Sequence, residues 1–303
     1  MRKFFHLLTV ALALAALPLV AKDSWNNPPR RTAPDLQHGT FRSGALKTDV
    51  GYNICLPPQY HAQPTQRFPV IYYLHGYDGN ESSYLEYADH WRSAVTNFGP
   101  VILVFVNGGA TSFFCDSPDG SVPGETLVVK ELVPHIDQKF RTLTNASARS
   151  LHGYSMGGFG ALKLAFKFPG TFGSVVAYAA TLSDAAEFKA RLGSVFAHMF
   201  GSDLRRFADN DPFALATRDA EKIRDHVAVS LIVGSKDEFL ERHRALHAQL
   251  QRLKIPHRYE EVPGARHDKD DLYVPTARAA FQFSLERGRM SREGGEGNES
   301  KRK

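Results

Sequence analysis

The chain has 303 residues, 43% of them hydrophobic and 23% charged. That balance suits one large globular domain and excludes collagen-like, intrinsically disordered and multi-span membrane chains. The formal charge of +5 comes from the two ends: without Arg2, Lys3 and everything after Glu286, 29 basic and 29 acidic residues remain. A neutral body offers no electrostatic footprint for nucleic acid.

Met1-Arg2-Lys3 is a short positive segment, followed by an uncharged apolar run from Phe4 to Val20 and a small residue, Ala21. The run is shorter than the ~20 residues a helix needs to cross a bilayer. Residues 1–21 therefore read as a signal peptide, with an exported, periplasmic or secreted chain starting near Lys22 and no stable membrane insertion after cleavage. Residues 22–34 are polar and Pro-rich and are expected to form a flexible leader. Two cysteines, Cys55 and Cys115, are open to a disulfide in an oxidising compartment or to two isolated thiols. No C-x-x-C or H-E-x-x-H pattern occurs, so neither a metal nor another cofactor is called for.

From 35 to 287 the pattern is that of one domain. Residues 50–56 alternate and stop at Pro57-Pro58, as a strand on one side of a sheet does. Residues 68–74 (F-P-V-I-Y-Y-L) and 101–106 (V-I-L-V-F-V) are continuous apolar runs, suited to strands buried on both faces of a parallel sheet. Further strands are expected at 150–152, 174–180, 227–233 and 258–262. Helices are expected at 82–98, 125–140, 156–168, 238–253 and 274–286. Such alternation implies a mostly parallel central sheet with helices on both faces. Residues 183–225, with Phe188, Leu192, Phe196, Met199, Phe200 and Phe207 among charges, read as a helical insertion. Residues 288–303 are poor in apolar side chains and are expected to form a disordered tail.

Gly153-Tyr154-Ser155-Met156-Gly157 fits G-x-S-x-G and falls between a short strand and a helix. A turn that tight strains the serine backbone, lifts Oγ out of the sheet and leaves no room for a Cβ at the flanking glycines. A serine hydroxyl needs a base to take its proton and a carboxylate to orient that base, here in the chain order serine, acid, histidine. Asp237, in G-S-K-D-E after the strand at 227–233, is the candidate acid; it competes with a helix N-cap role, in which case Glu238 substitutes. Asp203 in the insertion is the reserve. His267, in P-G-A-R-H-D beyond the last strand, is the candidate base. The backbone N–H groups of Tyr77, after His75-Gly76, and of Met156 are the candidate oxyanion donors. His75 and His152 read as structural. Phe113, Phe114, Phe196 and Phe200 either line an aromatic-friendly pocket or pack the core.

Y-L-H-G-Y-D-G-N-E, H-G-Y-S-M-G-G-F-G-A-L, G-S-K-D-E-F and G-A-R-H, in that order, resemble the esterase family of α/β-hydrolases that includes S-formylglutathione hydrolases, feruloyl and acetyl-xylan esterases and mycolyltransferases. The resemblance covers roughly residues 44–286. It implies the α/β-hydrolase fold, Ser155 as nucleophile, Asp237 as acid, His267 as base and an oxyanion hole from Tyr77 and Met156. Where relatives often carry a Trp just after the acid, this chain has Phe239. The expectation is an exported serine carboxylic-ester hydrolase acting on a small-molecule or carbohydrate-linked ester through an acyl-enzyme, without cofactor. An acyltransferase using the same three residues is the near alternative. A non-catalytic binding protein on the same scaffold is the distant one, and it requires a broken triad.

Overall fold

A computed structural model describes residues 24–29 and 33–299; the expected signal segment 1–21 lies outside the described residues. Its centre is one eight-stranded sheet: β1 (Leu36–Arg42), β2 (Asp49–Cys55), β3 (Val70–Leu74), β4 (Ile102–Val106), β5 (Arg149–Tyr154), β6 (Ser174–Tyr178), β7 (Ala228–Gly234) and β8 (His257–Val262). The spatial order is β1-β2-β4-β3-β5-β6-β7-β8. The first two strands pair antiparallel, and every pair from β4 to β8 is parallel. Strand β3 carries β4 on one side (Val70↔Ile102) and β5 on the other (Val70↔Arg149). The chain order thus reverses between β3 and β5, which opens a crevice at the carboxyl ends of those two strands.

The continuous apolar runs bury both faces, as expected. Val70, Tyr72 and Leu74 belong to one core, and Ile71 and Tyr73 to the other; Ile102, Val104 and Val106 oppose Leu103 and Phe105 in the same way. This period of two is what a pleated strand imposes on its side chains. Cys55 lies in one core and Cys115 in the other, so the sheet itself separates them. Both are free and buried, and the disulfide alternative is excluded.

The helices are α1 (Gln59–Ala62), α2 (Tyr87–Phe98), α3 (Gly124–Thr126), α4 (Val133–Lys139), α5 (Met156–Lys167), the five of the insertion, α6 (Ala185–Arg191), α7 (Gly193–Phe200), α8 (Leu204–Ala208), α9 (Pro212–Arg218) and α10 (Ala220–His226), and then α11 (Leu240–Arg252) and α12 (Lys269–Glu299). The helix expected at 125–140 is present and runs without a gap over residues 124–139, through a π-helical segment. Pro134 has no N–H to give to the preceding turn, and Leu127–Leu132 widens into a π-helix whose exit N–H, from Val133, reaches Val128 O. The insertion is helical as expected, capped by Asp184, Asp203 and Asp211. No helix of the described residues is long and apolar enough to cross a membrane.

The structure adds detail at the two ends of the domain. Strand β1 had no counterpart in the sequence reading, because L-Q-H-G-T-F-R is a half-exposed edge strand without clean alternation. Helix α12 starts at Lys269, where Asp268 Oδ1 accepts the Asp270 and Asp271 N–H groups, rather than near Pro275. Its helical backbone continues to Glu299, through most of the expected tail. Residues 24–29 of the expected leader are pinned. The Asn27 N–H and Nδ2 donate to the buried Glu81 carboxylate at 2.5 and 3.0 Å, and the Gly51 N–H donates to Trp25 O at 2.6 Å. A buried carboxylate needs donors to offset its desolvation, and composition near residue 27 carries no sign of one 54 residues away.

Candidate active site

Strand β5 delivers Ser155 into the crevice between β3 and β5. Its backbone sits at φ 56°, ψ −117°, a conformation that side chains rarely adopt. Three hydrogen bonds hold it there: Ser155 N–H to Tyr178 O (2.9 Å), and Phe159 and Thr181 N–H to Ser155 O (both 3.1 Å). The flanking glycines are required by space. A Cβ on Gly153 would lie 2.1 Å from Gly157 O, and one on Gly157 would lie 2.1 Å from Leu74 O. The second contact shows how closely the end of β3 abuts the start of α5.

His267 reaches the serine from the loop between β8 and α12, with Nε2 2.9 Å from Ser155 Oγ. Its Nδ1 is 2.9 Å from Asp237 Oδ2. The carboxylate fixes the tautomer: Nδ1–H donates to Asp237, which leaves the Nε2 lone pair to accept the serine proton. The Asp237 side chain is fully buried and that of His267 is one-quarter exposed, so the imidazole meets solvent while the carboxylate does not.

Asp237 is not the N-cap of α11, which is Phe239, and its two oxygens have separate partners. Asp237 Oδ1 accepts the Phe239 N–H at 2.8 Å, closing the turn before α11, while Oδ2 faces His267. The helix begins at Leu240 rather than at Glu238. Glu238 points outward, more than half exposed, and pairs with Arg191 at 3.2 Å. Asp203, the reserve, caps α8 through the Arg205 N–H.

The loop after β3 is held by His75. Its Nδ1 donates to Gly76 O (2.8 Å) and its Nε2 accepts the Gly108 N–H (3.4 Å). Burial drives this imidazole down to about 4, so it stays neutral and able to accept. Beyond it, the N–H groups of Tyr77 and Met156 have no acceptor among the described residues. Two unsatisfied donors, one in the loop after β3 and one on the first residue of α5 next to Ser155, are suited to an anionic oxygen.

Phe113, Phe114, Phe196 and Phe200 are all buried, which settles them as packing groups. Phe113 packs between the insertion and α5, with ring centroids 4.7 Å from Phe188 and 5.4 Å from Phe159. Three neighbours of the site were given no part in it by the sequence, although Phe239 is notable there for following the acid region. The rings of Tyr154 and Phe239 flank His267, and the Thr181 hydroxyl lies 3.1 Å from Ser155 Oγ. All three contacts cross between elements, where no local spacing reports them.

A mostly parallel sheet with a strained serine turn at its order reversal is an α/β-hydrolase fold. Solved structures agree: a ferulic acid esterase superposes with a TM-score of 0.72 at 22% identity, covering 83% of this chain and 98% of that one. An S-formylglutathione hydrolase from Agrobacterium tumefaciens gives 0.71 at 20% identity, covering 85% and 97%. The chain belongs to the esterase family described as "Putative esterase", which it matches over residues 43–281. Among curated relatives, an esterase of Mycobacterium tuberculosis is 28% identical over 79% of this chain and 57% of its own. The chain thus spans little more than half the length of that relative. An acetyl esterase of Caldicellulosiruptor saccharolyticus is 24% identical over 70% of this chain and 83% of its own.

Proposed function

We propose that the protein is an exported serine esterase that hydrolyses small or carbohydrate-linked carboxylic esters through an acyl-enzyme. The observation that carries the reading is the continuous chain from Ser155 Oγ to His267 Nε2 and from His267 Nδ1 to Asp237 Oδ2, 2.9 Å at each link. Ser155 attacks the ester carbonyl as its proton passes to His267 Nε2, and the Tyr77 and Met156 N–H groups receive the oxyanion. His267 then protonates the departing alcohol. Water, deprotonated by the same imidazole, attacks the acyl-enzyme and releases the acid. Asp237 holds the imidazole in the required tautomer and offsets its transient positive charge. Membership of an esterase family and an acetyl esterase among the relatives support the reaction class; the charged and apolar layout of residues 1–21 supports export.

The test is hydrolysis of p-nitrophenyl acetate to laurate, methyl ferulate and acetylated xylan by the purified protein and its Ser155→Ala variant. The variant should lose at least about a thousandfold in rate, and a fluorophosphonate should label the wild type on Ser155 alone. More than a per cent of activity left in Ser155→Ala would overturn the assignment. Export predicts that protein recovered from the periplasm or medium begins near Lys22; material recovered only from the cytoplasm, with Met1 retained, would overturn that part.

A further inference from the structure

We propose that Thr181 is a catalytic residue of this site, donating a hydrogen bond to Ser155 Oγ that strengthens as the oxygen gains negative charge. The inference rests on Ser155 being the nucleophile. The two hydroxyl oxygens are 3.1 Å apart. Hydrogen accounting sets the direction: the single Ser155 hydroxyl proton goes to His267 Nε2, so only the Thr181 proton is available for the bond between the hydroxyls.

The segment carrying Thr181 is held in place independently of the side chain. The Ala179 N–H donates to Ile232 O (2.7 Å), the Ala180 N–H to His243 Nε2 (3.1 Å) and the Thr181 N–H to Ser155 O (3.1 Å). Ala179 adopts φ 43°, a backbone reversal that turns the chain across the end of β6 toward the serine. His243 is fully buried and donates from Nδ1 to Phe239 O, which fixes Nε2 as the acceptor for Ala180. Thr181 itself is buried, and Ser155 Oγ is the only partner of its hydroxyl among the described residues. A donor held this way costs no reorganisation when charge develops.

The chemical steps keep the Thr181 proton on Thr181 throughout. In acylation the Oγ–carbonyl bond forms as the serine proton moves to His267 Nε2; the bond from the carbonyl carbon to the alkoxy oxygen then breaks, and that oxygen takes the proton from Nε2 and leaves as the alcohol. In deacylation a water oxygen bonds to the carbonyl carbon and its proton moves to Nε2. The carbonyl–Oγ bond then breaks, and Oγ recovers that proton from Nε2. Oγ is most negative as it attacks and as it departs. A hydrogen bond to a charged oxygen is about twice as strong as one to a neutral oxygen, so the Thr181 donor favours both transition states over the resting enzyme.

Thr181→Val, which removes the hydroxyl and keeps the shape, should lower kcat on p-nitrophenyl acetate about ten- to hundredfold while KM moves less than about threefold. Thr181→Ser should restore the rate to within about threefold of wild type. Circular dichroism and Tm report whether each variant folds. If Thr181→Val does not fold, Thr181→Ser against Thr181→Ala makes the same comparison. A Thr181→Val enzyme at full speed, or a Thr181→Ser enzyme as slow as Thr181→Val, would overturn the inference. Either result beside an inactive Ser155→Ala sinks only the role of Thr181, whereas an active Ser155→Ala sinks the nucleophile assignment itself.

Discussion

The Tyr154 ring, one residue before the serine, lies 5.2 Å from the imidazole of His267, tilted by 33°. The Phe239 ring also lies 5.2 Å from that imidazole, at 62°, and is itself covered by the Arg191 guanidinium 4.5 Å from its centroid. His267 sits in a loop, so these rings, with Asp237, define the plane of the imidazole. An error of about 1 Å in such placement is enough to cost ~10² in rate.

Phe239→Ala should therefore lower kcat about ten- to hundredfold with little change in KM, beyond the loss of stability expected from emptying a buried ring site, about 3–5 kcal/mol. Steady-state kinetics well below the variant's Tm separate the two effects. A kcat equal to wild type would show that Phe239 takes no part in orienting His267.

Glycine substitutions give a contrast decided by space. A Cβ at Gly157 would meet backbone atoms on the far side of the crevice, with Leu74 O at 2.1 Å and His75 O at 2.6 Å, whereas nothing lies within 4 Å of one at Gly170. Gly157→Ala should destabilise by about 1–3 kcal/mol or more and push the Tyr77 loop away from Ser155, abolishing most activity. Gly170→Ala should stay within about 0.5 kcal/mol of wild type and keep full activity. Denaturant midpoints and rates on the two variants check this; equal behaviour would contradict the described approach of β3 to α5.

The site was readable where one local requirement fixes a residue type. Gly153 and Gly157 declare a turn that admits no Cβ, and the runs at 68–74 and 101–106 declare strands buried on both faces. Those features placed Ser155, and chain order after it placed His267 and Asp237. What stayed hidden depends on partners distant in sequence. Thr181 gains meaning only from Ser155, 26 residues earlier, and Asn27 only from Glu81. Strand β1 exists because β2 offers it an edge, Leu36 pairing with Cys55, and not because its own residues alternate. The acid and cap readings of Asp237 were inseparable in sequence because its carboxylate both faces His267 and closes the turn just before α11, whose N-cap is Phe239.

Acid should weaken the fold through its buried histidines. His152 lies between Tyr87 OH (2.9 Å) and Ser284 Oγ (2.8 Å), and burial drives it down to about 3. An unfolded histidine titrates near 6.5. Between those values the unfolded chain binds a proton that the folded chain refuses. The contribution is thus complete above about 6.5 and falls away toward about 3, by up to about 1.4 kcal/mol per pH unit. His75 and His243, each driven down to about 4 by burial, act in the same direction, while Asp211, raised to about 6 by burial, acts against them. His152→Gln should lower Tm at pH 7 yet give a shallower fall of Tm between pH 6.5 and 4. An unchanged slope would mean that His152 does not contribute to acid sensitivity.

The separate duties of Asp237 and Glu238 make the most direct test of the acid. Asp237→Asn keeps the shape and can still accept the Phe239 N–H, so the turn before α11 should survive. The amide, however, can donate to Nδ1 and stabilise the wrong tautomer, with the proton on Nε2 and no lone pair for Ser155. The rate should fall by about 10³–10⁴ with Tm close to wild type. Glu238→Gln removes only an exposed pair with Arg191, worth about 0–1 kcal/mol, and should leave the rate unchanged. Hydrolysis rates and melting curves on both variants decide the matter. A slow Glu238→Gln beside a fast Asp237→Asn would reverse the roles. If Asp237→Asn loses stability and rate together, the carboxylate acts mainly through its turn, and the tautomer argument fails.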